Sequence, residues 1–381
     1  MTKTAVDVQP VTTPDDLKRF IRFPWRIYAN DPYWVPPLIS EIEKRLDTQR
    51  NPFWEYAERE LFLARRNGEV VGTIAAIVNH QHNHQLNDRT GFFGFFEAIN
   101  DHQVAEALIA AASEWLRKQG MDCIRGPVNG APTDEVGIQI AGYDRRPSIW
   151  EGHTPPYYRG LIERLGFRKY DDYLAYEFWF KDINWDLCNL PPKFLRVAEK
   201  VRSRTAVKVR KIDMSQWDAE VAKVHYLYNV AFRTIPGHTD MSLEKFANMA
   251  ASLRPFIDPN LVVIAEVEGQ PVGFAVALMD LNEALCHFRS GKLYPWDLIR
   301  LNWHMGRIRT ACGKMLGILP EYRIRGLEIL LALELGRHIL RKGYERVDIS
   351  LLQEKNTLIN RFIQRVGAKP YLVYRVYEKP L

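Results

Sequence analysis

Apolar residues along the chain occur in two patterns: short dense runs, and longer segments in which they recur every three or four positions. The runs at 61–65 and 70–78 flank a glycine-containing turn, as do the runs at 261–267 and 271–279, so both pairs predict hairpins. Residues 327–342 place leucine and isoleucine on one helical stripe with charged residues facing away, which predicts an amphipathic helix. This mixture of strands and helices indicates an α/β fold.

The two halves of the chain share a sequence repeat. Three segments of the first half match segments of the second in the same order: 63–72 with 264–273, 117–120 with 340–343, and 164–167 with 365–368. The outer pairs are offset by 201 residues and the middle pair by 223, so each half carries 22 extra residues in a different loop. Since chance hardly gives three matches in consistent order, we predict two copies of one unit. Regular structure stops at Pro191 and Pro192, which predicts domains 1–187 and 193–381.

Each copy has the same predicted order of elements: β, α, α, β, β, β, α, β, α, β. Helices precede each hairpin, at 15–28 with Thr13 as its cap and at 218–232. After the hairpin, each copy continues with a strand at 91–97 or 314–319, a helix at 104–118 or 327–342, a strand at 122–126 or 346–352, a short helix and an aromatic strand.

Composition narrows the class of protein. Apolar residues make up 46% and charged residues 26% of the chain, as in a soluble globular protein, and no apolar run approaches the roughly 18 residues of a membrane span. The N-terminus shows no secretory signal, and the four cysteines are scattered without a Cys-x-x-Cys pair. We therefore expect a cytoplasmic protein with no membrane partner and no disulfide framework.

The charge and the histidines of the chain predict neither a nucleic-acid-binding site nor a metal site. The net charge is +6, and we interpret the densest basic stretch, 200–211, mainly as a solvated connector and strand, so a nucleic-acid partner is not expected. His80, His82 and His84 alternate as residues on one face of an extended strand do. Side chains two positions apart on a strand lie roughly 6.8 Å apart, so we expect no metal site.

Residues 318–327, with the sequence Ile-Leu-Pro-Glu-Tyr-Arg-Ile-Arg-Gly-Leu, form a strand, a turn and the start of a helix. This segment resembles the pyrophosphate loop of the GNAT (GCN5-related N-acetyltransferase) family, whose pattern is Arg or Gln, two residues, Gly, one residue, then Gly or Ala. Backbone N–H groups at a helix N-terminus bind phosphate in such a loop, and glycine permits close approach. The resemblance implies two tandem GNAT-like domains, with acetyl-CoA or another acyl-CoA bound in the second through Ile318, Arg323, Ile324, Arg325, Gly326, Leu327 and Asn356.

The sequence departs from the family pattern at several positions. Glu328 replaces the last small residue; it either stabilises the first helical turn as carboxylates ordinarily do or repels the pyrophosphate. The family's tyrosine general acid falls on Ile363 in the second copy and on Ile162 in the first. The first copy also lacks an Arg-x-x-Gly loop after strand 91–97, so we expect it to shape the acceptor cleft rather than to bind CoA.

The insertions of the two copies supply the remaining candidates. The first contains Glu135 and His153, either of which could deprotonate an acceptor amine, directly or through water. The alternative is an Ω-like loop in which Thr133 and Asp134 only cap turns. The second insertion, 293–309, carries tryptophans and methionine at helical spacing; we interpret it mainly as a packing stripe, with the wall of an apolar channel as the alternative.

The resemblance implies an acyl-CoA-dependent N-acyltransferase, in the first instance an acetyltransferase acting on a small amine or a peptide. Glu328 and the missing tyrosines favour one alternative, a tandem GNAT-like binding or sensor protein without activity. A second alternative is an aminoacyl-tRNA-dependent transferase of the peptidoglycan-bridge kind, which also pairs two GNAT-like units and which the basic stretch 200–211 permits.

Overall fold

The structure is a computed structural model, and it describes residues 5–130, 134–204, 207–235, 238, 240–323 and 326–381. The chain forms two compact units: the first comprises Met1–Leu174, Ala284–Trp303 and Leu372–Leu381, and the second comprises Ala175–Glu283 and His304–Tyr371. Segments from late in the chain therefore belong to the first unit. The domains 1–187 and 193–381 stay a prediction about the extent of the two sequence copies.

Thirteen strands and thirteen α-helices are described. The first part of the chain contains β1 (Asp7–Pro10), α1 (Pro14–Arg22), α2 (Pro24–Ile27), α3 (Ile39–Leu46), β2 (Ala57–Arg66), β3 (Glu69–Asn79), α4 (His80–Leu86), β4 (Thr90–Ala98), α5 (His102–Lys118), β5 (Cys123–Gly126), β6 (Ile138–Ala141), α6 (Tyr157–Arg164) and β7 (Arg168–Trp179). The remainder contains α7 (Pro192–Arg204), β8 (Val207–Lys211), α8 (Trp217–Phe232), α9 (Leu243–Leu253), β9 (Val262–Val267), β10 (Gln270–Met279), α10 (Asn282–Leu285), α11 (Asp297–Met305), β11 (Thr310–Ile318), α12 (Leu327–Arg341), β12 (Arg346–Gln353), α13 (Thr357–Val366) and β13 (Lys369–Pro380).

In the first unit, β1, β2, β3, β4 and β5 are neighbours in a mixed sheet. The pairs are antiparallel except β4 and β5, which are parallel. The end of β13 continues this sheet, with Tyr377 opposite Gly126 of β5. Helix α5 covers one face, where Leu108, Ala112 and Leu116 are fully buried in the core.

The second unit repeats this plan with β8, β9, β10, β11 and β12, of which β11 and β12 are the parallel pair. Helices cover both faces of the sheet. A Cβ at Gly273 would lie 3.4 Å from Leu331 of α12, whereas the ring of the next residue, Phe274, packs 6.2 Å from that of Phe232 of α8. Because successive side chains on a strand point to opposite faces, α12 and α8 lie on opposite sides of the sheet.

The predicted hairpins, strands and main helices are confirmed, together with their order in both copies, and α3, α4, β6, α7, α10 and α11 are additional elements. The helix predicted at 15–28 is wrong as one element, since α1 ends at Arg22 and α2 begins at Pro24, which has no N–H to donate. Thr13 does cap α1, accepting a hydrogen bond from Asp16 N–H.

The extended segment predicted at 80–84 is a helix, α4. The side chain of Asn79 accepts a hydrogen bond from the N–H of His82 at 2.9 Å, and Asn87 ends the helix in the left-handed region with φ 50°. A polar stretch with a cap at both ends thus forms a helix despite its alternating histidines.

Candidate active site

The parallel strands of the second unit separate near their middle. Strands β11 and β12 are paired from Thr310 opposite Arg346 to Gly313 opposite Ile349. The next residue of each strand, Lys314 and Ser350, is joined by a hydrogen bond of 2.8 Å from the lysine Nζ to the serine Oγ. A fork therefore opens between the two strands directly after this bridge.

Four side chains form what we call the lysine cluster: Lys314, Asp348 and Ser350, which are buried, and Tyr371, which is half-buried. Asp348 is fully buried and accepts hydrogen bonds from the Ser350 hydroxyl at 2.6 Å and from the Tyr371 hydroxyl at 2.8 Å. The Lys314 Nζ lies 3.5 Å from the same carboxylate. A buried carboxylate needs such partners because desolvation penalises an unpaired charge.

A second carboxyl, Asp280, follows β10 and interacts electrostatically with the lysine cluster. Burial and the negative charges of Asp348 and Glu283 together raise its pKa to about 6, against the opposing charge of Lys314. Its backbone N–H donates to the Thr310 carbonyl oxygen at 3.0 Å. A carboxyl that titrates near neutral pH is suited to exchanging a proton with a substrate.

Beyond the lysine cluster, the strands of the fork carry apolar side chains that are only partly buried. Met315 and Leu316 on β11, and Leu351 and Leu352 on β12, are all half-buried. Apolar side chains with part of their surface still accessible can pack against the hydrocarbon of a ligand.

The N-terminus of α12 lies directly after this part of the sheet. Gly326 is its N-cap with φ 84°, and a Cβ there would lie 2.8 Å from Val197 and Val201 of α7. Glycine is thus required both by the backbone conformation and by the close approach of the neighbouring helix.

The carboxyl of Glu328 lies at this helix terminus. Burial raises its pKa, and hydrogen bonds from the backbone N–H groups of Gly326 and Glu328 oppose the rise without cancelling it. These N–H groups are among those that a helix N-terminus offers to an anion. In this structure the chain's own carboxyl occupies part of that position.

In the first unit the corresponding gap is filled. Strands β4 and β5 are paired as far as Phe92 and Arg125, after which the chain following β5 returns to β4. The Val128 N–H donates to the Phe93 carbonyl oxygen at 2.8 Å, and the Asn129 side chain accepts from the Phe95 N–H at 2.7 Å. Among the residues that the structure describes, these contacts leave no opening like the fork of the second unit between the two strands.

The half-buried residue Glu97 lies next to the last residue of strand β4 in the first unit. The Tyr158 hydroxyl lies 2.5 Å and the Tyr28 hydroxyl 3.1 Å from its oxygen atoms, and Tyr28 is also 2.9 Å from the His153 carbonyl oxygen. Burial, with a smaller contribution from the charge of Glu135, raises the pKa of Glu97 to about 8, although the hydrogen bonds from the two tyrosines oppose the rise. A protonated carboxyl fits this arrangement, because the Tyr28 proton can then be donated to the His153 carbonyl.

Relatives of the chain were found by sequence, although no family model matches it. It is 32% identical to the protein YghO of Escherichia coli K12 over 380 residues, covering 98% of this chain and 95% of YghO. It is 33% identical to a bacterial ceramide synthase of Caulobacter vibrioides over 387 residues, covering 100% of this chain and 99% of that protein. The chain belongs to the family of these two proteins.

The fold of this family member is that of tandem GNAT proteins, as the sequence predicts. A tandem GNAT protein from the clavulanic acid biosynthesis pathway aligns with 98% of each chain, with a TM-score of 0.57 and 13% identity. At this identity the likeness establishes the fold alone.

The predicted cofactor-binding residues of this tandem GNAT-like protein differ in their burial and in their hydrogen-bond partners. Arg323 donates to the carbonyl oxygens of Ile318, at 3.2 Å, and Ala231, and to the Thr234 hydroxyl at 3.1 Å, so its guanidinium fixes the loop to the end of α8. Leu327 and Ile318 are buried. Asn356 precedes α13, and its carbonyl accepts from the Asn360 side chain at 2.9 Å. Ile324 and Arg325 lie outside the described residues.

Glu135 and His153, the predicted bases, each have a charged partner in the first unit. The Arg45 guanidinium lies 2.6 Å from Glu135; burial raises the pKa of this carboxyl, but Arg45 and nearby hydrogen bonds lower it to below its usual value. His153 is buried, with Nε2 2.8 Å from Asp31. It lines a cavity of about 410 Å³ together with Asp31 and Tyr143.

Asp31 is ionised near neutral pH. Burial raises its pKa, but hydrogen bonds from His153 and from the backbone N–H groups of Tyr33 and Trp34 leave it below the usual value. The anionic Asp31 orients the His153 imidazole through the 2.8 Å contact with its Nε2.

Sequence reasoning missed the lysine cluster and Glu97. A charged residue inside an apolar strand was the available signal: Glu97 ends Phe-Phe-Gly-Phe-Phe-Glu, and Asp348 lies between Val347 and Ile349. Lys314 was included only as the first residue of a predicted strand. The positions of Ile162 and Ile363, where the family has a tyrosine, are buried core positions.

Proposed function

We propose that this protein is an acyl-CoA-dependent N-acyltransferase whose acceptor is the amine of a long-chain amino-alcohol lipid. The observation that carries the proposal is the 33% identity, over essentially the whole of both chains, with a protein named as a bacterial ceramide synthase. A ceramide is an amide between a fatty acyl group and the amine of such a lipid. A fatty acyl-CoA therefore replaces acetyl-CoA as the preferred donor in this proposal.

The second unit is proposed to hold the acyl-CoA. Its fork carries four half-buried apolar side chains, Met315, Leu316, Leu351 and Leu352, which suit the pantetheine and acyl chain. The N-terminus of α12 at Gly326 offers backbone N–H groups to the phosphates once the Glu328 side chain has moved away. The first unit lacks such an opening because Asn129 fills the corresponding gap.

The reaction forms a C–N bond between the amine and the thioester carbon and breaks the C–S bond, so CoA leaves as a thiolate that takes up a proton. The amine loses one proton, for which we propose Asp280 as acceptor, directly or through water, because its pKa is raised to about 6. Lys314 supplies positive charge at the fork, where it stabilises negative charge developing on the thioester oxygen. Glu135 and His153 remain the candidate bases of the first unit.

The test is amide formation from palmitoyl-CoA and sphinganine, followed by mass spectrometry of the product and release of free thiol. We expect a palmitoyl amide and a stoichiometric thiol signal, with acetyl-CoA a much poorer donor. Absence of an amide with every acyl-CoA from two to eighteen carbons would overturn the proposal.

One observation favours a second function, a tandem GNAT-like binding protein without activity. The Glu328 carboxyl already interacts with backbone N–H groups that would bind pyrophosphate. Calorimetric binding of palmitoyl-CoA without turnover in the same assay would support this second function. The tRNA-dependent alternative gains no such support, since Arg210 of the basic stretch pairs with Glu220 at 2.6 Å and with Glu266 at 2.7 Å.

A further inference from the structure

The segment 292–303 of the first unit exposes an unusual amount of apolar surface. Trp296 is 69% and Ile299 is 81% exposed, and Tyr294, Leu298 and Trp303 are also exposed. The helical spacing of tryptophan and methionine in 293–309 predicts mainly a packing stripe. That interpretation is wrong for its two tryptophans, because both are exposed.

The exposed residues form a coherent face. Trp296, Ile299 and Trp303 are three and four residues apart, the spacing that brings side chains to one side of a helix, and α11 covers the last two of them. The rings of Tyr294 and Trp296 are stacked at 5.0 Å. We call four of these residues the apolar face: Tyr294, Trp296, Ile299 and Trp303.

The chain leading into the apolar face is firmly attached to the first unit. The Trp25 indole donates to the Arg289 carbonyl oxygen at 2.8 Å, and the Arg289 guanidinium donates to the Trp34 carbonyl oxygen at 2.6 Å. The Ile39 N–H donates to the Gly291 carbonyl oxygen at 2.8 Å, and Gly291 has φ 68° with no room for a Cβ against Trp25. The face is thus presented outward from a fixed base.

Charge around the apolar face identifies the partner. Lys292 and Arg300 are exposed within the segment, and the exposed Arg22 donates to the Ser290 carbonyl oxygen next to it. Asp297 is the one acidic residue of the segment 292–303. Tryptophan and tyrosine prefer the interface between lipid and water, and lysine and arginine are attracted to anionic headgroups.

We propose that the apolar face docks on the surface of an anionic lipid bilayer, with Trp296, Ile299 and Trp303 inserted at the level of the headgroups and Lys292 and Arg300 against the phosphates. No helix among the described residues could span a bilayer, so this is attachment to one leaflet. The inference departs from the expectation of no membrane partner. It rests on the exposed side chains alone and not on the proposed enzymatic function.

The test is flotation of the full-length protein with vesicles of phosphatidylcholine containing 30% phosphatidylglycerol. We expect the wild-type protein to float with these vesicles and binding to weaken in high salt. The double variant Trp296→Ser, Ile299→Ser should bind about tenfold or more weakly, because each buried apolar side chain contributes on the order of 1 kcal/mol or more.

A control variant removes two exposed apolar side chains elsewhere. Tyr226 and Leu358 of the second unit are 53% and 66% exposed, so Tyr226→Ser, Leu358→Ser should float like wild type. The double variant Lys292→Gln, Arg300→Gln should bind more weakly than the wild type to vesicles that contain phosphatidylglycerol, and should lose less binding to vesicles of phosphatidylcholine alone. Equal flotation of both apolar double variants would overturn the proposal.

The alternative partner of the apolar face is a second copy of the chain. Analytical ultracentrifugation without lipid distinguishes it: self-association that Trp296→Ser, Ile299→Ser abolishes, with no flotation of the wild type, would overturn membrane docking. Amide formation from acceptor dispersed in detergent micelles does not require docking, so failure of the proposed activity and failure of docking give different results.

Discussion

The two parallel strand pairs of this protein show how one architecture is used in two ways. In the first unit, Asn129 and Val128 close the gap after β4 and β5 by hydrogen bonds to β4. In the second, β11 and β12 separate at the bridge between Lys314 and Ser350 and leave half-buried apolar side chains beyond it. The second unit thus leaves apolar side chains partly accessible at this place, whereas the first unit has internal contacts there.

The two units also differ in the side chains that surround an acidic residue near the parallel strands. Glu97 of the first unit is surrounded by tyrosines, and burial raises its pKa to about 8. Asp348 of the second lies between Lys314, Ser350 and Tyr371. Hydroxyl groups contact both acids, and Asp348 in addition has the Lys314 ammonium at 3.5 Å. This ammonium is the positive charge that we propose to assist acyl transfer.

The largest effect is expected for Lys314→Met. Loss of this charge at the fork should reduce kcat for amide formation by about 100-fold or more, as removal of one electrostatic stabiliser does in other enzymes. Lys118→Met removes an exposed lysine paired with Glu114 and should leave kcat unchanged. If Lys314→Met had the kcat of the wild type, the proposal that the fork of the second unit takes part in catalysis would be wrong.

Stability must be separated from catalysis in that variant. Leaving Asp348 without the lysine should cost ~3–5 kcal/mol of unfolding free energy, because its buried charge loses a partner. The double variant Lys314→Met, Asp348→Asn removes both charges and should regain much of that stability in urea unfolding. Its activity should stay low, which a purely structural role of Lys314 does not predict.

The next effect concerns Glu97 and pH. A carboxyl whose pKa is higher in the folded protein than in the unfolded chain contributes stability that is present below the unfolded value, near 4.5, and is lost as pH rises to about 8. Stability should therefore fall between pH 4.5 and 8 by about 1.4 kcal/mol per unit of pKa shift.

Glu97→Gln should flatten that profile, and the flattening should be clearest between pH 6 and 8. The contribution of Asp280 to the stability of the fold also decreases as pH rises, but this decrease ends at about pH 6, where the raised pKa of Asp280 lies. Urea unfolding at several pH values measures this. An unchanged slope between pH 6 and 8 in Glu97→Gln would show that the first-unit acid is not kept neutral.

A smaller effect is expected for Gly326→Ala at the start of α12. Both the positive φ and the 2.8 Å approach to Val197 and Val201 oppose a side chain, so stability should fall by ~2–3 kcal/mol. Gly68→Ala is the matched control, because Gly68 has φ 81° but no atom within 4 Å of its Cβ position. Gly68→Ala should lower the free energy of unfolding by only ~1 kcal/mol. Equal losses in the two variants would contradict the close contact between Gly326 and α7.

The smallest effect is expected for Glu328→Gln. Removing the negative charge at the N-terminus of α12 should tighten binding of CoA by about threefold to tenfold, since a nearby charge there contributes roughly 0.3–1 kcal/mol or somewhat more. Glu334→Gln, on the same helix but paired with Arg337, is the control. Weaker binding after Glu328→Gln would mean that this carboxyl assists the ligand.

Much of the fold could be predicted from the sequence because hairpins and helices are local. The repeat offsets revealed the duplication, and the segment 318–327 resembled a known loop. The lysine cluster could not be predicted, because it depends on the register of β11 against β12 and on Tyr371 from β13. The apolar face was misjudged since spacing shows which residues share a helix side but not what covers it.

The claim that the second unit alone receives the acyl-CoA is tested most directly by hydrogen–deuterium exchange with and without palmitoyl-CoA. The account predicts slower exchange in β11, in β12 and at the start of α12, with β4 and residues 127–129 unchanged. Protection of β4 and residues 127–129, with β11 and β12 unaffected, would contradict it.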